Sequence, residues 1–137
     1  MTGGGSVFTV GGLRVTHGFE LHCDVEIGPN NLEINWEGNH FHMEELTSVT
    51  CIDDPAIAPP PPAAEFDTYV GTGTGRCNGV DGATITFTLT DAGEPGAKTN
   101  PKDRASFAIT GCPDGLSLTV SGPLKKGNHQ AHKENRD

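Results

Sequence analysis

Apolar and polar residues alternate one for one through most of this chain, and that period of two commits it to β-strands. The clearest run is residues 19–27. Phe19, Leu21, Cys23, Val25 and Ile27 project to one side, and Glu20, His22, Asp24 and Glu26 to the other. Residues 6–10 and 13–16 read as short earlier strands. After a turn at Pro29, Asn30 and Asn31, the side chains of Leu32, Ile34 and Trp36 face a core. Glu37-Gly38-Asn39 turns the chain again. Phe41 and Met43 then share one face, while His40, His42 and Glu44 share the other. Residues 48–52, 66–71, 83–90, 106–110 and 116–121 continue the pattern, with Asp114-Gly115 as a hairpin signal. No stretch has the period of a long amphipathic helix, and 19 glycines and 10 prolines supply the turns. The expectation is an all-β fold, an antiparallel β-sandwich or jelly-roll-like arrangement of about eight to nine strands. Residues 1–126 form one domain, with no internal repeat.

Segments outside the alternation carry their own signals. Residues 53–65 contain Pro59, Pro60, Pro61 and Pro62, which favour an extended polyproline form. That run reads as a stiff crossover between sheets in preference to a ligand for a proline-recognising domain. Gly71-Thr72-Gly73-Thr74-Gly75 invites comparison with a phosphate loop, but no helical pattern follows and no lysine stands where one is needed. A bent or bulged strand is expected there. Thr84, Thr86, Thr88 and Thr90 place a row of hydroxyls outward, of the kind that meets sugar or ice. A single row without neighbours is the ordinary solvated face of a strand. Residues 91–104 read as a polar loop. Residues 127–137 read as a tail, locally basic through Lys125, Lys126, Lys133 and Arg136. It is either a disordered end or a segment folded back over the acidic face of residues 19–27, bringing His129 and His132 near His22.

The formal net charge of −9 disfavours nonspecific binding to nucleic acid or to an anionic membrane. No apolar run is long enough for membrane insertion. The first residues lack the basic region and apolar core of a signal peptide, so a precursor would have been trimmed to this boundary. Four cysteines in a small, glycine-rich β chain favour disulfides and a secreted, extracellular setting. Three pairings exist. Cys23 with Cys51 and Cys77 with Cys112 is the expected one, since Cys23 lies on the apolar side of its strand and Cys51 on the side of Val49. Thiolate metal ligation is the weaker reading, because there is no CxxC pair.

Six histidines fall in three tight groups: His17 and His22, His40 and His42, His129 and His132. Imidazole is readily recruited by transition metals. His40 and His42 are two apart on a strand and share a face. With His22 they would make a three-histidine site with an open position, suited to copper or zinc. His17, His129 and His132 are further candidate ligands. Glu20 or Glu44 would supply a supporting carboxylate or a base. The plainer reading is a set of solvated surface imidazoles. Calcium on Asp53, Asp54, Asp67, Asp81 and Asp91 ranks lower, since no calcium-loop motif supports it. Metal on the acidic face could also join two copies as a homodimer.

HFHMEE superficially resembles the HxH-plus-glutamate motif of the cupins, but the spacing to the following glycine is not kept. A longer resemblance runs through VTHGFELHCD, NNLEINW, FHMEELTSVTCIDDPAI, FDTYVGTGTG, TFTLTDAGEPG and VSGPLKKGNHQAH. These segments are similar to the post-COAP type domains, small β-rich modules of secreted and surface bacterial proteins. The resemblance implies an extracellular sandwich-like module whose partners are other domains of a larger protein. It carries over no catalytic residue, and Cys77 and Cys112 are additional to the family's pattern. Two functions follow as expectations. One is a binding module that holds a transition metal without turnover. The other is a small copper oxidase or zinc hydrolase acting on an extracellular polymer. Trp36 and Tyr69 are the only large amphipathic aromatics, too few for a sugar-stacking platform, and no GxSxG elbow exists. The binding module is the expected one.

Overall fold

The computed structural model describes residues 1–53, 66–92 and 103–132. The proline run, Asp54, most of the 91–104 loop, Lys133 and Arg136 lie outside the described residues. Among the described residues nine antiparallel strands make the fold: β1 Thr2–Phe8, β2 Arg14–Glu20, β3 Asn31–Trp36, β4 Asn39–Ile52, β5 Thr68–Cys77, β6 Val80–Thr90, β7 Arg104–Thr110, β8 Leu118–Pro123 and β9 Lys126–Gln130. They form one sheet in the order β8-β7-β6-β5-β4-β3-β2-β1-β9. The all-β expectation holds. In place of two stacked sheets, a single sheet curls on itself and encloses the core on its concave side. β8 and β9 follow each other almost directly. The first pairs with β7 and the second with β1, which draws the two margins of the curl together. At the seam the Leu124 N–H donates to Asp103 O and the Lys125 N–H to Ser6 O.

The alternation read from the sequence is the inside-outside alternation of the curl. Val15, Ile34, Phe41, Tyr69, Ile85, Leu89 and Phe107 are all essentially inaccessible to solvent. Each such side chain contributes roughly 1.5–3 kcal/mol by leaving water. On β5 the inward positions are Tyr69, Gly71, Gly73, Gly75 and Cys77. A Cβ on Gly71 would overlap the Phe87 ring, and one on Gly73 would overlap the Met43 sulfur. The glycine run is therefore a slot that lets large neighbours fold over the strand. It lies in a bulged strand pair, as expected, with register shifts against β4 at Met43/Glu45 and Leu46/Ser48. Each shift inserts a residue, so the inward set on β4 steps from Met43 to Leu46 to Val49.

Two hairpins turn on left-handed residue pairs. Glu37 and Gly38 have φ of 48° and 79°, and Asn78 and Gly79 have 52° and 81°. Positive φ at both central residues is the two-residue turn that matches strand twist, and Asn-Gly is its strongest sequence signal. The Asn78 side chain ties the two hairpins: its Oδ1 accepts from the His40 N–H at 2.9 Å, and its Nδ2 donates to Asn39 Oδ1 at 3.1 Å.

Several expectations are corrected. The strand expected over residues 19–27 ends at Glu20. Beyond it the Asn30 side chain takes the His22 N–H at 2.7 Å and donates to Ile27 O at 2.9 Å, while Asp24 takes the Glu26 N–H. These local bonds replace ladder bonds. The loop folds over one end of the curl, where the Tyr69 hydroxyl donates to His22 O at 2.7 Å. Leu21 stays buried, but Val25 and Ile27 are 42% and 40% exposed. The first two strands are Thr2–Phe8 and Arg14–Glu20, not residues 6–10 and 13–16. The boundary at residue 126 falls inside the sheet, because β9 is a full strand paired with β1 from Thr2↔Gln130 to Ser6↔Lys126.

Both disulfides pair as expected. Cys23–Cys51 pins the 21–30 loop to the end of β4, and Cys77–Cys112 ties the far end of β5 to the β7–β8 turn. At separations of 28 and 35 residues, chain-entropy reasoning gives each about 3–4 kcal/mol. Two disulfides are compatible with an extracellular location. Among the described residues no helix is long and apolar enough to cross a membrane.

Candidate functional site

The fold brings two of the three histidine groups together, at a point the sequence did not single out. His17 projects inward from β2, in step with Val15 and Phe19, and His129 projects inward from β9. Their Nε2 atoms lie 2.7 Å apart. His129 Nδ1 is 3.0 Å from Thr90 O, and a carbonyl only accepts, so Nδ1 carries the proton. His129 Nε2 is then the acceptor, and His17 Nε2–H donates to it. His17 Nδ1 is left as a bare, buried lone pair with no hydrogen-bond partner. Phe19 and Phe107 flank the pair, each with its ring centre 5.0 Å from one imidazole. Burial is the main reason both imidazoles stay neutral. It lowers the His17 pKa from 6.5 to about 3, with the neighbouring His129 adding to the effect. It lowers His129 to about 4, opposed in part by the Thr90 carbonyl and Asp91.

Buried carboxylates hold the same strand from the backbone side. Asp103 accepts the His129 N–H on Oδ2 and the Ala92 N–H on Oδ1, both at 2.7 Å. Asp91 Oδ2 accepts the Ala131 N–H at 2.9 Å. This constellation clamps β9 into the sheet. No sequence signal marks Asp103, since its partners are the backbone amides of Ala92 and His129, distant along the chain.

His40 and His42 stand on the outer face of β4, as their spacing predicted. Each meets an acceptor on β3 directly across the register: Asn35↔His40 and Glu33↔His42. His40 Nδ1 is 2.7 Å from Asn35 Oδ1, and His42 Nδ1 is 3.0 Å from Glu33 Oε1. An acceptor at Nδ1 fixes the proton there and leaves Nε2 as the ring's lone pair in the neutral form. Beside His42 a shallow, open groove of about 580 Å³ runs over the outer faces of β2 and β3, floored at Gly18 and walled by Glu20, Asn31 and Glu33. Glu33 and Asn35 were not picked out from sequence. Their alternation within NLEINW, across a two-residue hairpin from HFH, is the signal that finds them.

The remaining candidates sit elsewhere. His22 belongs to the end loop and does not join His40 and His42. His132 Nε2 is 2.8 Å from the Thr2 hydroxyl, at the edge of β1. The tail therefore docks on β1, with His129 against His17, and not on the 19–27 face near His22. Glu44 does not support His42; its carboxylate is 3.2 Å from Arg76, which also holds Asp81 at 3.1 Å. Glu20 lines the groove. Among the calcium candidates, Asp67 accepts from Thr68 Oγ1 at 2.7 Å, and Asp81 and Asp91 are engaged as above. Among the described residues no group of three or more His, Cys, Asp or Glu side chains is placed to hold one metal ion. Compared with protein-family models, with curated proteins and with solved structures, the chain finds no match in any of the three.

Proposed function

We propose that this chain is a secreted, disulfide-locked binding module that takes a divalent transition metal, copper or zinc, on the outer face of β3 and β4, without turnover. The observation that carries the reading is the pairing of His40 Nδ1 with Asn35 and of His42 Nδ1 with Glu33. Metal-binding histidines are typically oriented in this way, with the second nitrogen held by a carboxylate or an amide oxygen. Alternate strand residues stand about 6.6–6.8 Å apart on one face, within reach of a shared ion once the rings lean together. The adjoining acidic groove adds negative potential that attracts a cation.

Turnover is the weaker reading, because the carboxylates nearest the pair already have partners: Glu33 holds His42, and Glu44 is taken by Arg76. Isothermal titration of tag-free protein with Cu²⁺ and Zn²⁺ tests the proposal. His40→Ala/His42→Ala should abolish binding. Glu33→Gln should weaken it by about 10–100-fold, the usual effect of losing an orienting partner. A double variant that binds as well as the parent overturns the assignment.

A further inference from the structure

The outer face around β4 is ordered in rows that cross the strands. One row runs Glu33–His42–Arg76 over β3, β4 and β5. The next runs from Asn35 to His40 and ends at Asn78, whose N–H donates to His40 O at 2.8 Å. β4 is the middle strand of the nine, so both rows lie at the middle of the convex side. Opposite charges flank His42. The Glu33 carboxylate is 3.0 Å from its Nδ1 on the β3 side, and Arg76 stands on the β5 side with its side chain 54% exposed.

The two imidazoles are half of a four-coordinate shell. Among the described residues no third His, Cys, Asp or Glu is placed to join them on one ion. Nδ1 of each ring is taken by Asn35 or Glu33, so each histidine has one nitrogen, Nε2, to give. Copper and zinc both accept imidazole nitrogens at four positions. A metal held by this pair alone keeps two positions for outside donors.

A second copy of the chain supplies those donors, and the rows match. Lay two copies convex face to convex face about a twofold axis running along β4. The axis exchanges the β3 and β5 sides, as an isologous contact requires. Arg76 of each copy then stands over Glu33 of the other, Asn78 stands over Asn35, and the two His40–His42 pairs meet at the axis. Adjacent strands are about 4.7–4.9 Å apart, so the charge pairs flank the ion closely on both sides. Convex faces meet only along a narrow strip, short of the roughly 1,200–2,000 Å² that holds stable partners together unaided. A formal net charge of −9 on each copy adds repulsion. The cation is what joins them. We propose that His40 and His42 of two copies together enclose one copper or zinc ion, which makes the module a metal-gated homodimer. This rests on the metal-binding reading of the same two histidines.

The test is sedimentation velocity of tag-free, oxidised protein in EDTA, in Zn²⁺ and in Cu²⁺, beside calorimetric titration with each ion. The protein should be a monomer in EDTA and a dimer with metal, at one ion per two chains, and should return to monomer when EDTA is added. Arg76→Glu sets like charges against Glu33 of the other copy. Once a thermal melt shows it folded, it should dimerise about tenfold more weakly or worse. One ion per chain on a monomer overturns the dimer and leaves the His40–His42 site standing. No bound ion overturns both. A dimer that survives EDTA, or a folded Arg76→Glu variant that pairs as tightly as the parent, overturns the pairing described.

Discussion

Lowering the pH from 8 to 5 should cost this protein about 4 kcal/mol of stability through two side chains alone. His17 and His129 are 6% and 1% exposed, and burial holds their pKa values near 3 and 4 against 6.5 when unfolded. A base with a depressed folded pKa stabilises the fold fully above its unfolded value, and the contribution fades as pH falls toward the folded value. The window therefore opens near pH 6.5 and closes near 3–4. At pH 5 each imidazole is protonated in the unfolded chain and neutral in the folded one, a difference of about 2 kcal/mol apiece. Against a total of roughly 5–15 kcal/mol for a domain, this is a large share. Urea melts at pH 8 and pH 5 read it directly. His17→Phe sets an apolar ring beside Phe19 and Phe107 and removes one titrating group, so its loss over the same interval should be about half the parent's. A variant that keeps the parent's full pH slope would refute the burial argument.

Two further outcomes follow from the clamp and the bridges. Asp103→Ala strips the acceptor from two buried amides, those of His129 and Ala92, and should cost about 2–5 kcal/mol with faster hydrogen exchange across residues 126–131. Unchanged protection there would show that β9 is held without the carboxylate. Cys77→Ala/Cys112→Ala should lower unfolding free energy by about 3–4 kcal/mol while keeping the β signature in circular dichroism. An undiminished urea midpoint would mean that the bridge does not constrain the unfolded chain.

Period-two alternation made the strands legible, and the expected cysteine pairs form, although Cys23 lies in the loop beyond β2 and not on a strand face. It failed where a strand ends for non-periodic reasons. Residues 19–27 keep perfect alternation, yet Asn30 and Asp24 capture the backbone and end β2 at Glu20. Asn78-Gly79 is a plain two-residue turn signal, and it closes the β5–β6 hairpin just after the Gly71–Gly75 run. Sheet order was not legible, so neither was the meeting of His17 with His129. That contact depends on β9 pairing with β1, and no local pattern encodes a partner more than a hundred residues away. His40 and His42 needed only the geometry of one strand, and their outward placement was read correctly.

The short run from β8 into β9 makes the pairing of β9 with β1 the least local one in the sheet. Thr2 pairs with Gln130 across nearly the whole described chain, so the conformational search is long and folding should be slow. Until they pair, β1 presents bare amides and carbonyls to any passing strand. Gly127, at φ 103° and pressed against Gly4 so closely that a Cβ would collide with its carbonyl, restricts which strand can finish the joint. Protection of the β1 edge against stray association thus resides in β9.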